Sequence, residues 1–571
     1  MDSTRTWAPT QLGATLFAWL RSRCALRPAL PSDVALALLA ALAWTLIYNL
    51  QFWHQAIAAM WHPTPRAALF LVSLLVVVVC LQALLLLLMP TRVGMRIATS
   101  ALFLLAALGS YFASSYGAVM NQDMMRNVIE TDAVEVGGLL NLDLAAHALL
   151  LGVAPAVLVW RIALPSSTWH VRLRQRLIAI GSVLMLCIAA LFACSSNYAV
   201  FFREHKPVRY LLSPAAPVVS LAGLLAANER HDPGAPLIDP AGKVQRTAAV
   251  SDSKPLVMFL VVGETARAAN FQLGGYERAT NPRLRGRGDV VYFDHATSCG
   301  TATAISVPCM FSHLPRAQFD VDQARRYTNL LDTLVKADFA VEWRENDGGC
   351  KGVCARVAQV SYRSESDPAL CPNSYCYDEV MLRDLPGRLA ALQRDSVVIF
   401  HGIGSHGPAY SQRYPPQFEV FKPACRSNEL QRCSGQEIVN AYDNSIAYAD
   451  YLLAKQIELL QANAGLFDSV LLYLSDHGES LGEQGLYLHG MPYSFAPRTQ
   501  KEVPMLFWAS QGYIERTGLS VKCVQARSHA DVSHDNLYHT VLGALAVRDQ
   551  VYDPALDILA GCRAALPPGH E

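Results

Sequence analysis

The sequence predicts two parts in series: an α-helical domain that crosses a membrane five times, then an α/β soluble domain on a central, mainly parallel sheet. Three observations predict it. Long apolar runs are confined to the first 200 of 571 residues. Lysine and arginine cluster in alternate connections between those runs. Downstream, short apolar runs end in polar clusters and are separated by helical patterns, as in sheets covered on both faces. Charged residues are 16% of the chain, hydrophobic ones 52%, and the formal net charge is zero. That balance gives no electrostatic reason to expect a nucleic-acid partner.

Crossing roughly 30 Å of hydrocarbon takes about 20 apolar residues. Five stretches qualify: Asp33–Trp53, Ala67–Met89, Met95–Tyr116, Ala145–Val159 with its flanks, and Leu177–Cys194. The second carries no charge, and five such runs would overfill a soluble core. The first run begins late and is followed by others, so no cleavable signal peptide is expected. Arg5, Arg21, Arg23 and Arg27 precede the first run. Arg92 and Arg96 follow the second; Arg161, Arg172, Arg174 and Arg176 follow the fourth. Placing these basic segments in the cytoplasm sends the chain from Ser195 onward to the outer side. The spans are nearly free of ionisable residues, which argues against a transporter. The expected division is 1–200 for the five-helix membrane domain, 201–250 for an interfacial helix and linker, and 251–571 for the soluble domain.

Cysteine usage follows the same division. Cys24, Cys80, Cys187 and Cys194 lie in or beside the apolar runs, whereas ten lie downstream, in an oxidising compartment by the topology above. Closely spaced pairs there suggest disulfides. A structural zinc site from Cys350, Cys354, Cys371 and Cys376 is the competing reading, made less favourable by that topology.

Between the third and fourth runs, the outer connection Gly117–Asp143 places Asn127, Thr131 and Glu135 four residues apart. On one helix they would share a face, either the solvated side of an interfacial helix or a polar strip for a lipid headgroup. The residues alone favour the solvated side.

In the soluble part, Pro255–Val262 runs into Gly263-Glu264-Thr265, Ser396–Phe400 into His401 and the Gly-rich stretch to His406, and Ser469–Leu474 into Ser475-Asp476-His477. Helical patterns occupy Tyr327–Lys336 and Val439–Gln461. Ligands of open parallel sheets sit beyond the carboxyl ends of the strands, where these clusters fall. Two carboxylates and an imidazole, Glu264, Asp476 and His477, suit zinc or manganese, zinc being the commoner catalytic choice. Singly, such an acidic residue is more often a helix cap. The loop SDHGESLGEQGLYLHG, however, gathers Asp476, His477, Glu479 and His489 in a composition of little use for packing. Thr301 and Thr303 lie between Cys299 and Cys309, a potential small disulfide loop, and offer hydroxyls that a metal could activate. The commoner fate of such a threonine is a helix N-cap.

Together, VGETARAANFQLGGY, SCGTATAISVPCMF, GCKGVC, GSHGP, SDHGESLGE and YLHGMPYSFAP resemble the phosphoethanolamine transferases of Gram-negative bacteria. The resemblance is to the lipid A-modifying group that includes the mobile colistin-resistance enzymes, and it covers almost the whole chain. It implies an alkaline-phosphatase-like soluble domain in the periplasm, on a multi-pass anchor in the inner membrane. It also implies zinc held by Glu264, Thr303, Asp476 and His477, with Thr303 as nucleophile. His406 and His489 correspond to positions that bind donor phosphate or a second zinc, and Lys351 to one that contacts the headgroup. Asn127, Thr131 and Glu135 correspond to polar positions of the family's outer loop, which turns the reading of that strip toward headgroup binding. Glu479 is expected in a supporting role. The resemblance also implies disulfides Cys299–Cys309, Cys350–Cys354, Cys371–Cys376 and Cys425–Cys433, leaving Cys523 and Cys562 for each other.

The implied reaction moves phosphoethanolamine from phosphatidylethanolamine to Thr303 and then to a lipid A phosphate, in a monomer, lowering surface negative charge and giving polymyxin resistance. One zinc is expected, with room for a second. The alternative acceptor is another envelope glycan such as the lipopolysaccharide core. Phosphoglycerol transfer differs only in motif detail, whereas a sulfatase would need a formylglycine precursor where Thr303 stands. Two departures from the family pattern occur: Ile305 replaces a frequent tyrosine, and Glu345 and Asp347 stand where many relatives have Asp and Asn. Asp347 puts an extra charge beside the headgroup pocket, where it could meet an ammonium.

Overall fold

The computed structural model describes residues 28–131, 133–229, 235–246, 254–363, 365–372 and 375–563. Arg5, Arg21, Arg23, Arg27 and Cys24 lie outside the described residues.

The chain forms two compact units. One reaches to Ser114 and resumes over Leu142–Val218; the other joins Ser115–Asn141 to everything from Val219 onward. The outer connection thus belongs to the same unit as the α/β domain.

In the first unit, Pro65–Leu87, Arg92–Tyr116, Leu142–Arg161 and Trp169–Ala193 are each long and apolar enough to span a membrane. The first expected span is a pair of helices, Asp33–Tyr48 and Leu50–Met60, bent by 69° at Asn49, and counted as one span it brings the total to five. The bend has a side-chain cause. Asn49 Nδ2 donates to the carbonyls of Trp44 (2.8 Å) and Ser213 (2.7 Å), and its Oδ1 accepts from the Ser213 amide at 2.7 Å. These bonds replace helix ladder bonds and hold the kink. The starts of the first, third and fifth spans meet in an ion-pair cluster: Asp33 lies 3.0 Å from Arg92 Nε and 3.1 Å from Arg176 Nη2. Segments grouped on one side by their basic residues therefore also meet in space.

The second unit is built on a seven-stranded sheet: β1 (Leu256–Gly263), β2 (Val290–Phe293), β3 (Ala340–Glu345), β4 (Ala358–Ser361), β5 (Ser396–His401), β6 (Asp468–Ser475) and β7 (Met505–Ala509). The spatial order is β2-β7-β6-β1-β5-β3-β4. β7 runs antiparallel to both neighbours; the other pairings are parallel. Each of β1, β5 and β6 matches an apolar run read from the sequence. The 28-residue helix Gly435–Ala462 starts at Ser434 with a capping box to Glu437, and Leu330–Lys336 starts at Asn329 with another to Asp332.

Register decides where the chemistry gathers. Gly263 pairs with Ser475, Val262 with His401, and His401 with Glu345. Four adjacent parallel strands, β6-β1-β5-β3, therefore end in one row. The residues just beyond that row are Asp476-His477, Glu264 and Asn346-Asp347.

Candidate active site

Thr303 opens the helix Thr303–Met310 as its first residue, not as its cap. The cap is Ala302, which has no side chain to offer the free amides. The Thr303 hydroxyl instead faces the strand ends: Oγ1 donates toward both carboxylate oxygens of Glu264 at 3.2 Å and lies 3.3 Å from Nε2 of His477. The neighbouring hydroxyl is spent on structure, since Thr301 Oγ1 donates to the Met491 carbonyl at 2.5 Å. Packing thus separates two threonines that the sequence places side by side.

Glu264, Asp476 and His477 are fully buried, and one ligand atom from each lies within 4.8 Å of the others. His477 Nε2 is 3.4 Å from Glu264 Oε1 and 3.2 Å from Asp476 Oδ2. Its Nδ1 lies 3.0 Å from the Gly478 carbonyl, an acceptor only, so Nδ1 carries the proton and Nε2 keeps its lone pair for the cluster. Asp476 Oδ1 accepts the amides of Thr265 (3.1 Å) and His477 (2.6 Å), whereas Oδ2 is buried with no hydrogen-bond partner. Burial and the charges of Asp476 and Asp347 push the Glu264 carboxyl well above the usual range; burial raises Asp476 and lowers His477. An unpartnered buried oxygen, two carboxylates held at a cost and an oriented imidazole fit a divalent cation of the zinc type.

Two further histidines stand beside this group. The His489 ring is 4.4 Å from that of His477, and the His406 ring 5.1 Å from that of His489. Glu479, fully buried, places Oε2 2.8 Å from His489 Nδ1 and accepts from the Tyr410 hydroxyl at 2.6 Å through Oε1. His406 Nδ1 is 2.7 Å from the Gly407 carbonyl. Burial lowers His406 to about 4 and His489 well below its ordinary value, so both imidazoles are neutral.

Several residues gain a role in the site that the sequence does not assign them. His401, the last residue of β5, is buried with Nδ1 3.1 Å from both oxygens of Glu345. Burial pulls its pKa down, but Glu345, Asp347 and Glu264 outweigh this and hold it up at about 10. His534 ties the nucleophile loop to β6: its Nδ1 accepts the Cys299 amide at 3.0 Å, and its Nε2 reaches the Ser475 carbonyl at 2.9 Å. Ser306 Oγ donates to the Asp476 carbonyl and, 3.2 Å away, accepts the Gly300 amide.

Lys351 lies elsewhere. Its Nζ donates to the Gly348 carbonyl at 3.0 Å, and with Arg325, Arg356 and Glu130 it lines a cavity of about 470 Å³ whose lining includes none of Glu264, Thr303, Asp476 and His477. The shared helical face expected for Asn127, Thr131 and Glu135 does not form. The helix Gln122–Glu130 ends at Thr131, whose amide (2.8 Å) and hydroxyl (2.6 Å) both return to the Asn127 carbonyl as its backbone turns extended. Glu135 belongs to the next helix, Ala133–Leu139, and its side chain is outside the described residues. Gln122–Glu130 packs on Thr303–Met310, and Arg126 forms a forked ion pair with Asp322, both contacts at 2.8 Å.

Five disulfides stiffen this unit: Cys299–Cys309, Cys350–Cys354, Cys371–Cys376, Cys425–Cys433 and Cys523–Cys562. The second and third consume the thiols of the alternative zinc reading.

Comparison with known proteins agrees with this architecture. The family described as phosphoethanolamine transferase EptA/EptB matches residues 78–228, and the sulfatase family matches residues 257–547. Phosphoethanolamine transferase EptA of Salmonella typhimurium is 42% identical over 476 residues, covering 82% of this chain and 86% of that protein. Phosphatidylethanolamine transferase Mcr-2 of Escherichia coli is 38% identical, with 86% and 91% covered. Among solved structures, the integral membrane protein lipooligosaccharide phosphoethanolamine transferase A of Neisseria meningitidis superposes with a TM-score of 0.90 at 33% identity, covering 94% of this chain and 99% of that one. With likeness of that depth running through both the helical anchor and the α/β domain, this chain belongs to the phosphoethanolamine transferase family.

Proposed function

We propose that the protein transfers phosphoethanolamine from phosphatidylethanolamine to a phosphate of lipid A, on the periplasmic side of a Gram-negative inner membrane. The observation that carries this reading is the Thr303 hydroxyl, poised 3.2 Å from both oxygens of Glu264 at the start of a helix. The lipooligosaccharide relative supports the acceptor class.

Glu264, Asp476, His477 and Thr303 would hold zinc. Zinc bound there would supply Lewis acidity and would lower the pKa of the threonine hydroxyl. Thr303 Oγ attacks the donor phosphorus; an Oγ–P bond forms, the P–O bond to diacylglycerol breaks, and the threonine proton is released to solvent. His406 and His489, neutral and next to His477, are suited to relay a proton to the departing oxygen. The helix N-terminus beneath Thr303 favours the negative charge on the transferred group. In the second half-reaction a lipid A phosphate oxygen attacks the same phosphorus, the P–Oγ bond breaks, and Thr303 regains its proton. Glu479 orients His489. Lys351 offers a cation to an anionic headgroup in its own cavity, beside the outer loop that carries Asn127 and Thr131. A single chain carries every one of these groups, so a monomer suffices. Added ammonium groups lower surface negative charge, hence polymyxin resistance.

The test is mass spectrometry of lipid A from cells expressing the chain. Wild type should yield phosphoethanolamine-bearing lipid A, and Thr303→Ala none at equal membrane abundance. Equal modification by both, or none by wild type, refutes the assignment.

A further inference from the structure

Glu264 divides its two oxygens between two imidazoles. Oε1 faces His477 Nε2 at 3.4 Å, whereas Oε2 faces His401 Nε2 at 3.9 Å. On that second side stands Asp347, its Oδ2 4.0 Å from the same nitrogen, and one oxygen or nitrogen from each of Glu264, Asp347 and His401 lies within 4.8 Å of the others.

His401 is set up as a ligand. Its Nδ1 is 3.1 Å from both oxygens of Glu345, and Glu345 is itself fixed by Trp343 Nε1 and by the Asp347 amide, each at 2.7 Å. A carboxylate behind one ring nitrogen is the arrangement that orients a metal-bound histidine and raises its basicity. The other nitrogen, Nε2, is fully buried with no hydrogen-bond partner, and so is Asp347 Oδ1 in a residue only 3% exposed. A plain buried ion pair between His401 and Glu345 does not explain this. An imidazolium buries a second N–H for which the carboxylate oxygens of Glu264 and Asp347 stand 3.9 and 4.0 Å away, too far to bond, and orphaned donors are costly; a cation on Nε2 would take the place of that proton. With ligand bonds of about 2.0–2.2 Å, two ligands of one cation stand roughly 3–3.5 Å apart, which small side-chain shifts would reach. Four buried carboxylates, Glu264, Glu345, Asp347 and Asp476, surround the position, and their ion-pair partners here are the imidazoles His401 and His477.

We propose that Glu264, Asp347 and His401 hold a second divalent cation, of the zinc or manganese class that takes mixed nitrogen and oxygen ligands, with Glu264 shared between two sites. The proposal rests on the metal reading of Glu264, Asp476 and His477 given above. It is distinct from a second ion at His406 and His489.

The full chain in detergent, stripped by chelation and dialysed to equilibrium against zinc, is assayed for zinc per chain by plasma mass spectrometry, with thermal unfolding as the folding control. Wild type should hold two equivalents. The near-isosteric Asp347→Asn should hold one, Asp476→Asn one, and the double variant none. A single equivalent in wild type that Asp476→Asn removes and Asp347→Asn leaves would overturn the second site while the catalytic reading stands. Two equivalents that survive Asp347→Asn, or of which one is lost with His406→Ala or His489→Ala instead, would also overturn it. No zinc in wild type, or a stoichiometry unmoved by Asp476→Asn, would overturn both readings.

Discussion

Glu479 Oε2 lies 2.8 Å from Nδ1 of His489, and the same carboxylate accepts the Tyr410 hydroxyl at 2.6 Å. Burial raises the Glu479 carboxyl well above its ordinary range; when ionised it accepts from both groups and sets His489 in the tautomer with Nδ1 protonated and Nε2 free. Glu479→Gln keeps the shape but leaves one acceptor oxygen and brings an N–H, so the ring and the tyrosine can no longer both donate to it. Removing such an outer partner of a site histidine costs about 10–100-fold in activity. The expected result is a loss of that size in lipid A modification with unchanged zinc content. Full activity would show that the ring is held by other means.

Thr301 and Thr303 should respond oppositely to conservative change. Thr303→Ser keeps the hydroxyl beside Glu264 and should retain transfer. Thr301→Val removes the donor to Met491 and leaves that carbonyl unsatisfied, a loss of about 1–3 kcal/mol. Its signature is a lower melting temperature with transfer per folded molecule retained. A Thr303→Ser variant as inert as Thr303→Ala would count against attack by that oxygen.

Much of the site was legible because its residues follow strongly apolar strands. PLVMFLVV, SVVIF and SVLLYL announce β1, β5 and β6, and Glu264, Asp476 and His477 stand at two of their ends. β3 was hidden because AVEWRE carries charge into the core: Arg344 is fully buried, its Nη2 donating to Asp384 at 2.6 Å and its Nη1 to the Met381 carbonyl at 2.7 Å. With β3 unseen, nothing in the sequence joined His401 to Glu345 and Asp347, which meet it only through strand pairing. His534 was missed for a similar reason, since both its partners lie far away in sequence. The break at Thr131 depends on one hydroxyl choosing a local carbonyl, which four-residue spacing does not reveal.

Gly404 should prove intolerant of any side chain. Its φ is +51°, and a Cβ there would stand 2.5 Å from the carbonyl oxygen and 2.9 Å from the amide nitrogen of Glu264. Backbone strain alone costs on the order of 1–3 kcal/mol, and the clash falls on a proposed metal ligand, which must move. Gly404→Ala should therefore lower both zinc content and melting temperature. Wild-type zinc content in that variant would mean that the β1 end yields without disturbing the Glu264 side chain.

Asp450, on the helix Gly435–Ala462, accepts the amides of Arg283 at 2.9 Å and Leu284 at 3.1 Å, pinning the start of the short helix Pro282–Arg285. Burial outweighs those two bonds and raises its carboxyl to about 6, above the ordinary 3.8. Between those values the folded chain binds this proton more tightly than the unfolded chain does, so stability falls as pH rises through the window. The penalty is absent below pH 4 and complete above pH 6, on the order of 2–3 kcal/mol from a shift of about two units. Asn cannot ionise, and its single oxygen keeps only one of the two amides, a loss that does not change with pH. The melting temperature of Asp450→Asn relative to wild type, followed from pH 4 to pH 7, should therefore rise across the window and level off above it. A difference that stays constant with pH would show that the carboxylate is solvated well enough to ionise normally.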